Sequence, residues 1–207
     1  VKCYADALRS QSHEFFNKIH VINGLIKGNE KQQLIDYVEK IIGSQSKELH
    51  IVAQHIKEPI IAGFLQSKYS RARELDVGFN IAAQGTLRSI PDPSVVHSVI
   101  TILGNLIDNS LDAVQNCADR EIDLEFNVKD DLWEIIIQDS GDGIDHQYLD
   151  QIFNKGFSTK GENRGFGLYL VLSCVDELNG KIEVNSSVNE GTTFHLYLPL
   201  SEIYREV

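Results

Sequence analysis

Methionine is absent from the 207-residue chain, tryptophan occurs once, and there are only 4 prolines and 3 cysteines. Cys3, Cys117 and Cys174 are odd in number, far apart and without a CxxC spacing, which excludes a disulfide scaffold and leaves reduced thiols as the expectation. Long apolar runs are missing as well. No stretch approaches the roughly 18 consecutive apolar residues of a spanning helix, and there is no signal-peptide pattern. The piece is therefore expected to be soluble and cytoplasmic, with any membrane attachment carried by segments outside it. Basic residues are in deficit, 19 against 30 acidic ones for a net charge of −11, which argues against a nucleic-acid partner. What is present is ordinary globular material: 42% hydrophobic and 24% charged residues exclude disorder and supply a core for one domain or two small ones. A chain that opens on Val1 with no methionine is expected to be a fragment of something longer.

The front of the chain carries a helical period. Val1, Ala5, Leu8, Ser12, Phe15, Ile19, Ile22 and Ile26 alternate spacings of four and three, with Ser12 the one polar member. Gly28-Asn29 breaks the pattern. A second stripe runs through Val38, Ile42, Gln45, Leu49, Val52 and Ile56 and stops at Pro59. Two such helices make an antiparallel hairpin with seams that it cannot bury alone. A homodimeric four-helix bundle is the expected solution; packing of the hairpin on the rest of its own chain is the other.

On the first helix, Ser12-His13-Glu14-Phe15-Phe16-Asn17-Lys18-Ile19-His20 is the most chemical cluster. His13 lies one position past the seam, at the bundle edge, with Asn17 and His20 on the same stripe. A zinc-protease HExxH is excluded because Asn17 stands where the second His would be.

From Ile60 onward helices and strands mix. A helix through Phe64, Leu65 and Tyr69 is followed by a strand near 76–81. Ser94 is expected to cap a long helix reaching Cys117, with Val95, Val99, Ile100, Leu103, Leu106, Ile107, Leu111 and Val114 on its apolar face. Strands are expected at 121–128 and 132–138, a helix at 166–178, and a final hairpin at 181–186 and 192–198 turning at Asn189-Glu190-Gly191. Helices and antiparallel strands in this order predict a two-layer α/β sandwich.

Four clusters in this part share a theme. Asn105, Asn109 and Asp112 fall on one stripe of the long helix, where carboxamide oxygens suit a hard cation or polar contacts to phosphate. Asp139-Ser140-Gly141-Asp142-Gly143-Ile144 follows an apolar strand; its carboxylate can accept from an exocyclic amine, and its glycines let the backbone approach a flat ligand. Phe153-Asn154-Lys155-Gly156-Phe157-Ser158-Thr159-Lys160 is a loop with two aromatics and two lysines. Gly161-Glu162-Asn163-Arg164-Gly165-Phe166-Gly167-Leu168 runs into a helix whose bared amides suit phosphate. It is neither a Walker A loop, since Glu162 replaces the required Lys, nor a Rossmann turn. A glycine-rich lid closing over a nucleotide fits its mechanics.

In this order the four clusters resemble the N, G1, F and G2 boxes of the Bergerat ATP-binding fold shared by sensor histidine kinases, Hsp90, gyrase and mismatch-repair ATPases. With the His-Glu-x-x-Asn helix in front, nearly the whole chain resembles the dimerisation–phosphotransfer and catalytic core of a two-component sensor histidine kinase. Ser12 to His20, followed by Pro59-Ile60-Ile61-Ala62-Gly63-Phe64-Leu65, resembles the citrate/C4-dicarboxylate sensor group. The implied fold is α+β: a phosphotransfer hairpin over residues 1–58 and a Bergerat-type catalytic domain over residues 59–207.

The resemblance also implies roles. His13 receives the γ-phosphoryl group of ATP, Glu14 takes the imidazole proton, and Asn17 places water for dephosphorylating a response regulator. Asn109 ligates Mg²⁺ and Asn105 supports the phosphates. Asp139 accepts from the adenine amine, Gly141 and Gly143 form the turn beside it, and Thr192 lies near adenine. Gly165 and Gly167 hinge the lid, while Lys160 and Arg164 neutralise phosphate charge. The implied partners are a second copy of the chain and the receiver domain of a response regulator, with the intact protein at a bacterial membrane. Asp112 departs from many relatives, which carry Lys there. ATP-hydrolysing members have a Glu base at the position of Asn105, so Asn105 favours transfer over hydrolysis. A phosphotransfer scaffold without kinase activity and a Bergerat-fold ATPase are the competing readings. The segment Lys57–Gly63 is expected to hinge the two halves and so control the reaction.

Overall fold

A computed structural model describes residues 20–21, 23–28, 30–31, 33, 46–158 and 165–205. The chain divides into two compact units, Val1–Ser46 and Lys47–Val207. In the first, residues 23–27 are helical and the chain turns at Gly28, whose amide donates to the Gly24 carbonyl at 2.9 Å. Most of the expected hairpin, with His13, Glu14 and Asn17, lies outside the described residues, as do Lys160 and Arg164.

The second unit begins earlier than the sequence pattern suggests. Helix α1 (Lys47–His55), read as the tail of a hairpin helix, belongs to it: Val52 and Ile56 are 3% exposed within its hydrophobic core. The residues expected to form a hinge are anchored there too. Ile56 bridges Leu87 in parallel, and Ile61 is fully buried. The buried Glu58 carboxylate accepts from Ser89 Oγ at 3.0 Å and from the Ile90 amide at 2.9 Å. Its other oxygen accepts from the Ile60 amide at 3.4 Å and caps helix α2 (Pro59–Glu74), where Pro59 opens the first turn. Periodicity alone cannot tell which of two apolar surfaces will cover Val52 and Ile56.

Strand β1 (Gly78–Gln84) follows, then helix α3 (Pro93–Val114). The cap of α3 is Asp92 rather than Ser94: its carboxylate accepts from the Ser94 amide at 2.8 Å, and Pro93 takes the first helical position. Strands β2 (Glu121–Lys129) and β3 (Leu132–Asp139) form a tight hairpin, with Asp130 at φ 52° in the turn. Helix α4 (Gly167–Glu177), strands β4 (Lys181–Ser187) and β5 (Gly191–Pro199), and the short helix α5 (Leu200–Ile203) complete the unit.

The five strands are ordered β1-β2-β3-β5-β4. All neighbours are antiparallel except β1 and β2, which pair in parallel from Gly78↔Glu121 to Gln84↔Asn127; α3 supplies the crossover that a parallel pair needs. Alternation sets the two faces. Ile122, Leu124 and Phe126 on β2, Trp133, Ile135 and Ile137 on β3, and Phe194, Leu196 and Leu198 on β5 are buried, whereas intervening residues such as Glu125, Glu134 and His195 are not. The buried face packs under α3, whose Leu103, Leu106 and Ile107 are wholly inaccessible. Each such side chain contributes roughly 1.5–3 kcal/mol. This is the expected two-layer sandwich. Its chemistry gathers where β3 ends, β5 begins and α4 starts, beside the C-terminal half of α3.

Candidate active site

Asp139 is the last residue of β3 and is 4% exposed. Its carboxylate is held from three sides: Ser110 Oγ on α3 donates to Oδ2 at 3.0 Å, and the amides of Gly141 and Thr192 donate to Oδ1 at 3.0 and 3.3 Å. The loop after it must pass close to its neighbours. A Cβ on Gly141 would lie 2.6 Å from Ala113 Cβ, and one on Gly143, at φ +68°, would strike the Ser187 carbonyl. Both glycines therefore seat the loop against α3 and β4, a packing role that the sequence pattern did not indicate. Cys117 Sγ reaches Asp142 Oδ1 at 3.5 Å beside this loop, and burial, reinforced by that carboxylate, pushes the Cys117 thiol above its ordinary range.

Thr192 stands opposite Asp139 in the β3–β5 register, and Ser186 opposite Thr192 in the β4–β5 register. Beyond this row the chain opens into a pocket of about 190 Å³. Asp139 and Thr192 lie on its wall, Ile144, Ile152, Phe157 and Phe194 supply apolar sides, and Asn109, Asp112, Gly165 and Gly167 line the remainder. An apolar slot with a few convergent polar groups suits a flat aromatic ring bearing a polar edge.

At the far end α4 begins. Phe166 provides no side-chain cap, so among the described residues no side chain takes up the first amides of the helix, a terminus that suits an anion. A Cβ on Gly167 would lie 2.7 Å from Asn105 Oδ1, so a side chain there would push the Asn105 amide aside. Asn105 Nδ2 donates to the Thr101 carbonyl at 2.7 Å, which orients the amide under that helix start. Gly165, at φ +102°, presses on the 156–157 backbone, and its carbonyl accepts from the Gly156 amide at 3.0 Å. That bond ties Gly156 to Gly165 on the two sides of residues 159–164. Asn109 is half-buried on the pocket wall, and its amide makes no hydrogen bond to the described residues.

The structure thus brings together Asn105, Asn109, Asp139, Gly141, Gly143, Gly165, Gly167 and Thr192. Two residues not singled out from the sequence join them. Ser110 holds Asp139 and is 1% exposed; its signal was a hydroxyl inside the apolar stripe between Ile107 and Leu111. Ser186 braces Thr192 from β4, and no local pattern marks it. Among the described residues no group of three His, Cys, Asp or Glu side chains could hold a metal ion. A metal here would need oxygens from its ligand beside Asn109.

The chain has relatives among known proteins. The chain is 38% identical over 202 residues to a "Probable C4-dicarboxylate sensor kinase" of Halalkalibacterium halodurans, covering 96% of this chain and 38% of that protein. It is 40% identical over 196 residues to "Sensor histidine kinase DcuS" of Escherichia coli, covering 95% and 36% respectively. The chain therefore spans well under half the length of these curated relatives. Among solved structures, the catalytic domain of histidine kinase ThkA superposes with a TM-score of 0.55 at 23% identity, over 66% of this chain and 90% of that one. Full-length ShkA gives 0.55 at 21% identity, over 66% of this chain and 29% of that one; both show the shared fold. The family model described as "Histidine kinase-, DNA gyrase B-, and HSP90-like ATPase" matches residues 95–202, from the first turn of α3 to α5, and the chain belongs to that family.

Proposed function

We propose that this chain is the catalytic and phosphotransfer core of a sensor histidine kinase of the C4-dicarboxylate/citrate type, which moves the γ-phosphoryl group of ATP to His13 and from there to an aspartate of a response regulator. The supporting observation is the pocket itself. A buried carboxylate on an apolar slot stands at one end, and the uncapped start of α4 stands at the other beside the Asn109 amide. An adenine ring fits the first and a phosphate chain the second. The relatives' names point the same way.

Asn109 fits Mg²⁺ through one neutral oxygen, because this ion keeps several waters and takes the rest of its shell from substrate phosphates. Bound there, Mg²⁺ would offset phosphate charge. The protein's own part is positional and electrostatic. Asp139 orients the base, the α4 amides draw the phosphates, and Lys160 and Arg164 on the lid add cationic charge at the transferring group. In the transfer a ring nitrogen of His13 forms a bond to the γ-phosphorus, the bond to the β,γ-bridging oxygen breaks, ADP leaves, and the ring proton passes to Glu14. The reacting nitrogen must come within about 3–3.5 Å of phosphorus. Asn105 is no base for water: a carboxamide does not take up a proton at neutral pH, and its NH₂ is engaged with the Thr101 carbonyl. Asn17 would serve dephosphorylation of the regulator. Pairing of two chains through the helical front of the chain, ahead of the unit that begins at Lys47, and attachment to a membrane through segments outside the sequence, belong to the same proposal.

Radiolabelled ATP with Mg²⁺ tests it. The wild-type chain should acquire acid-labile phosphate, and His13→Gln should acquire none. Asn109→Ala should weaken binding of the magnesium complex about tenfold. Acid-labile label on the His13→Gln protein would overturn the assignment.

A further inference from the structure

Asp139 on β3, Thr192 on β5 and Ser186 on β4 form a row across three neighbouring strands and are 4%, 5% and 7% exposed. Asp139 and Thr192 reach the pocket, and Ser186 stands behind Thr192. Ser186 Oγ has three polar neighbours: the Ile144 amide at 2.8 Å, the Gly191 carbonyl at 2.8 Å and Thr192 Oγ1 at 2.9 Å. A hydroxyl has one hydrogen to donate and two lone pairs. The Ile144 amide only donates and the Gly191 carbonyl only accepts. Ser186 therefore gives its hydrogen to Gly191 and receives one from Ile144. Its remaining lone pair can receive only the hydrogen of Thr192. The Thr192 hydroxyl is thus turned toward Ser186 and presents lone pairs to the pocket.

We propose that Ser186 is a positioning residue for base selection: by fixing the Thr192 hydroxyl as an acceptor beside the Asp139 carboxylate, it makes the pocket complementary to a purine bearing a 6-amino group and hostile to a 6-oxo purine. This rests on the nucleotide reading above. An amino group brings two hydrogens to two acceptors. A 6-oxo group brings lone pairs against both, and a buried site built for hydrogen bonding discriminates strongly when its groups are left unmatched. With Ser186 removed, the Thr192 hydroxyl can rotate and donate to a 6-oxo group, so it no longer selects for the amino group.

Calorimetric titration of ATP and of inosine triphosphate, each with Mg²⁺, into the wild-type chain, Ser186→Ala, Ser186→Thr and Thr192→Val reads the effect as a ratio of affinities. The wild type should favour ATP. Ser186→Ala should narrow that preference at least tenfold, and Ser186→Thr, which keeps a hydroxyl, should retain it. Thr192→Val removes the acceptor while leaving the Ser186 bonds to Ile144 and Gly191, and should narrow the ratio even where Ser186→Ala fails to fold. An unchanged ratio in Ser186→Ala or Thr192→Val, including one in which both affinities fall together, overturns the inference and leaves the nucleotide reading standing. A folded wild type that binds neither nucleotide overturns both.

Discussion

At the Asp139 end of the pocket the polar side chains are tied into the sheet: three donors hold the carboxylate, and Ser186 holds Thr192 across two strands. At the opposite end, Asn109 and the first amides of α4 face the pocket without such ties among the described residues, and the backbone is shaped by Gly165 and Gly167. The first arrangement is finished before a ligand arrives and suits recognition. The second is completed by the ligand and suits chemistry on a group that must be taken up and passed on. Preorganised groups carry specificity because little ordering remains to oppose binding. Donors left for a ligand carry the response to charge.

The largest expected effect breaks the finished end. Asp139→Asn replaces an acceptor with an amide whose NH₂ must face the donors of Ser110, Gly141 or Thr192, and a hydrogen bond to a charged group is worth about 1.5–3 kcal/mol. ATP affinity should fall roughly a hundredfold by calorimetry; a loss under threefold would mean that this end does not recognise the base. Gly143→Ala attacks the same end through the backbone. Its Cβ would strike the Ser187 carbonyl at φ +68°, so denaturant unfolding should show a loss of about 1–3 kcal/mol. Wild-type stability would contradict the close packing of loop and strand.

Asn109→Ala sharpens the contrast at the other end. ATP affinity in Mg²⁺ should drop about tenfold, the scale of one lost ligand interaction of ~1.4 kcal/mol, whereas affinity measured in EDTA should barely change. Equal losses with and without the metal would assign Asn109 to the phosphates instead. The smallest effect lies outside the pocket. Hydrogen bonds from Ser94 hold the Asp92 carboxyl below its usual range, with Arg205 adding to this. A lowered folded-state pKa adds stability above the unfolded pKa of ~3.9 and loses it as pH falls through the folded value. Asp92→Ala should therefore lower the melting temperature modestly at pH 7, and the difference should close in acid below the folded pKa. A gap that persists there would assign the effect to packing.

Much of this was legible in the residues. The apolar stripe of α3, the alternation of β2, β3 and β5, and the position of Asp139 at a strand end follow from periodicity, whereas the packing of Gly141 on Ala113, Gly143 on Ser187 and Gly167 on Asn105 is visible only in the fold. Partner choice was less legible. Val52 and Ile56 continue a heptad-like stripe, yet they are covered by the second unit, because a period specifies a buried face and not what buries it. The α3 cap moved from Ser94 to Asp92 because Pro93 prefers the first helical position. The parallel pairing of β1 with β2 depends on a crossover that strand alternation does not encode. Ser186 was illegible because its role exists only through register with Thr192.

The most direct measurement is mass mapping of the phosphorylated residue after the chain is incubated with Mg-ATP. A single phosphoryl group is expected on His13, present in the wild type and strongly reduced in Asp139→Asn at sub-saturating ATP. Phosphate on another residue, or undiminished labelling of Asp139→Asn under those conditions, would contradict it.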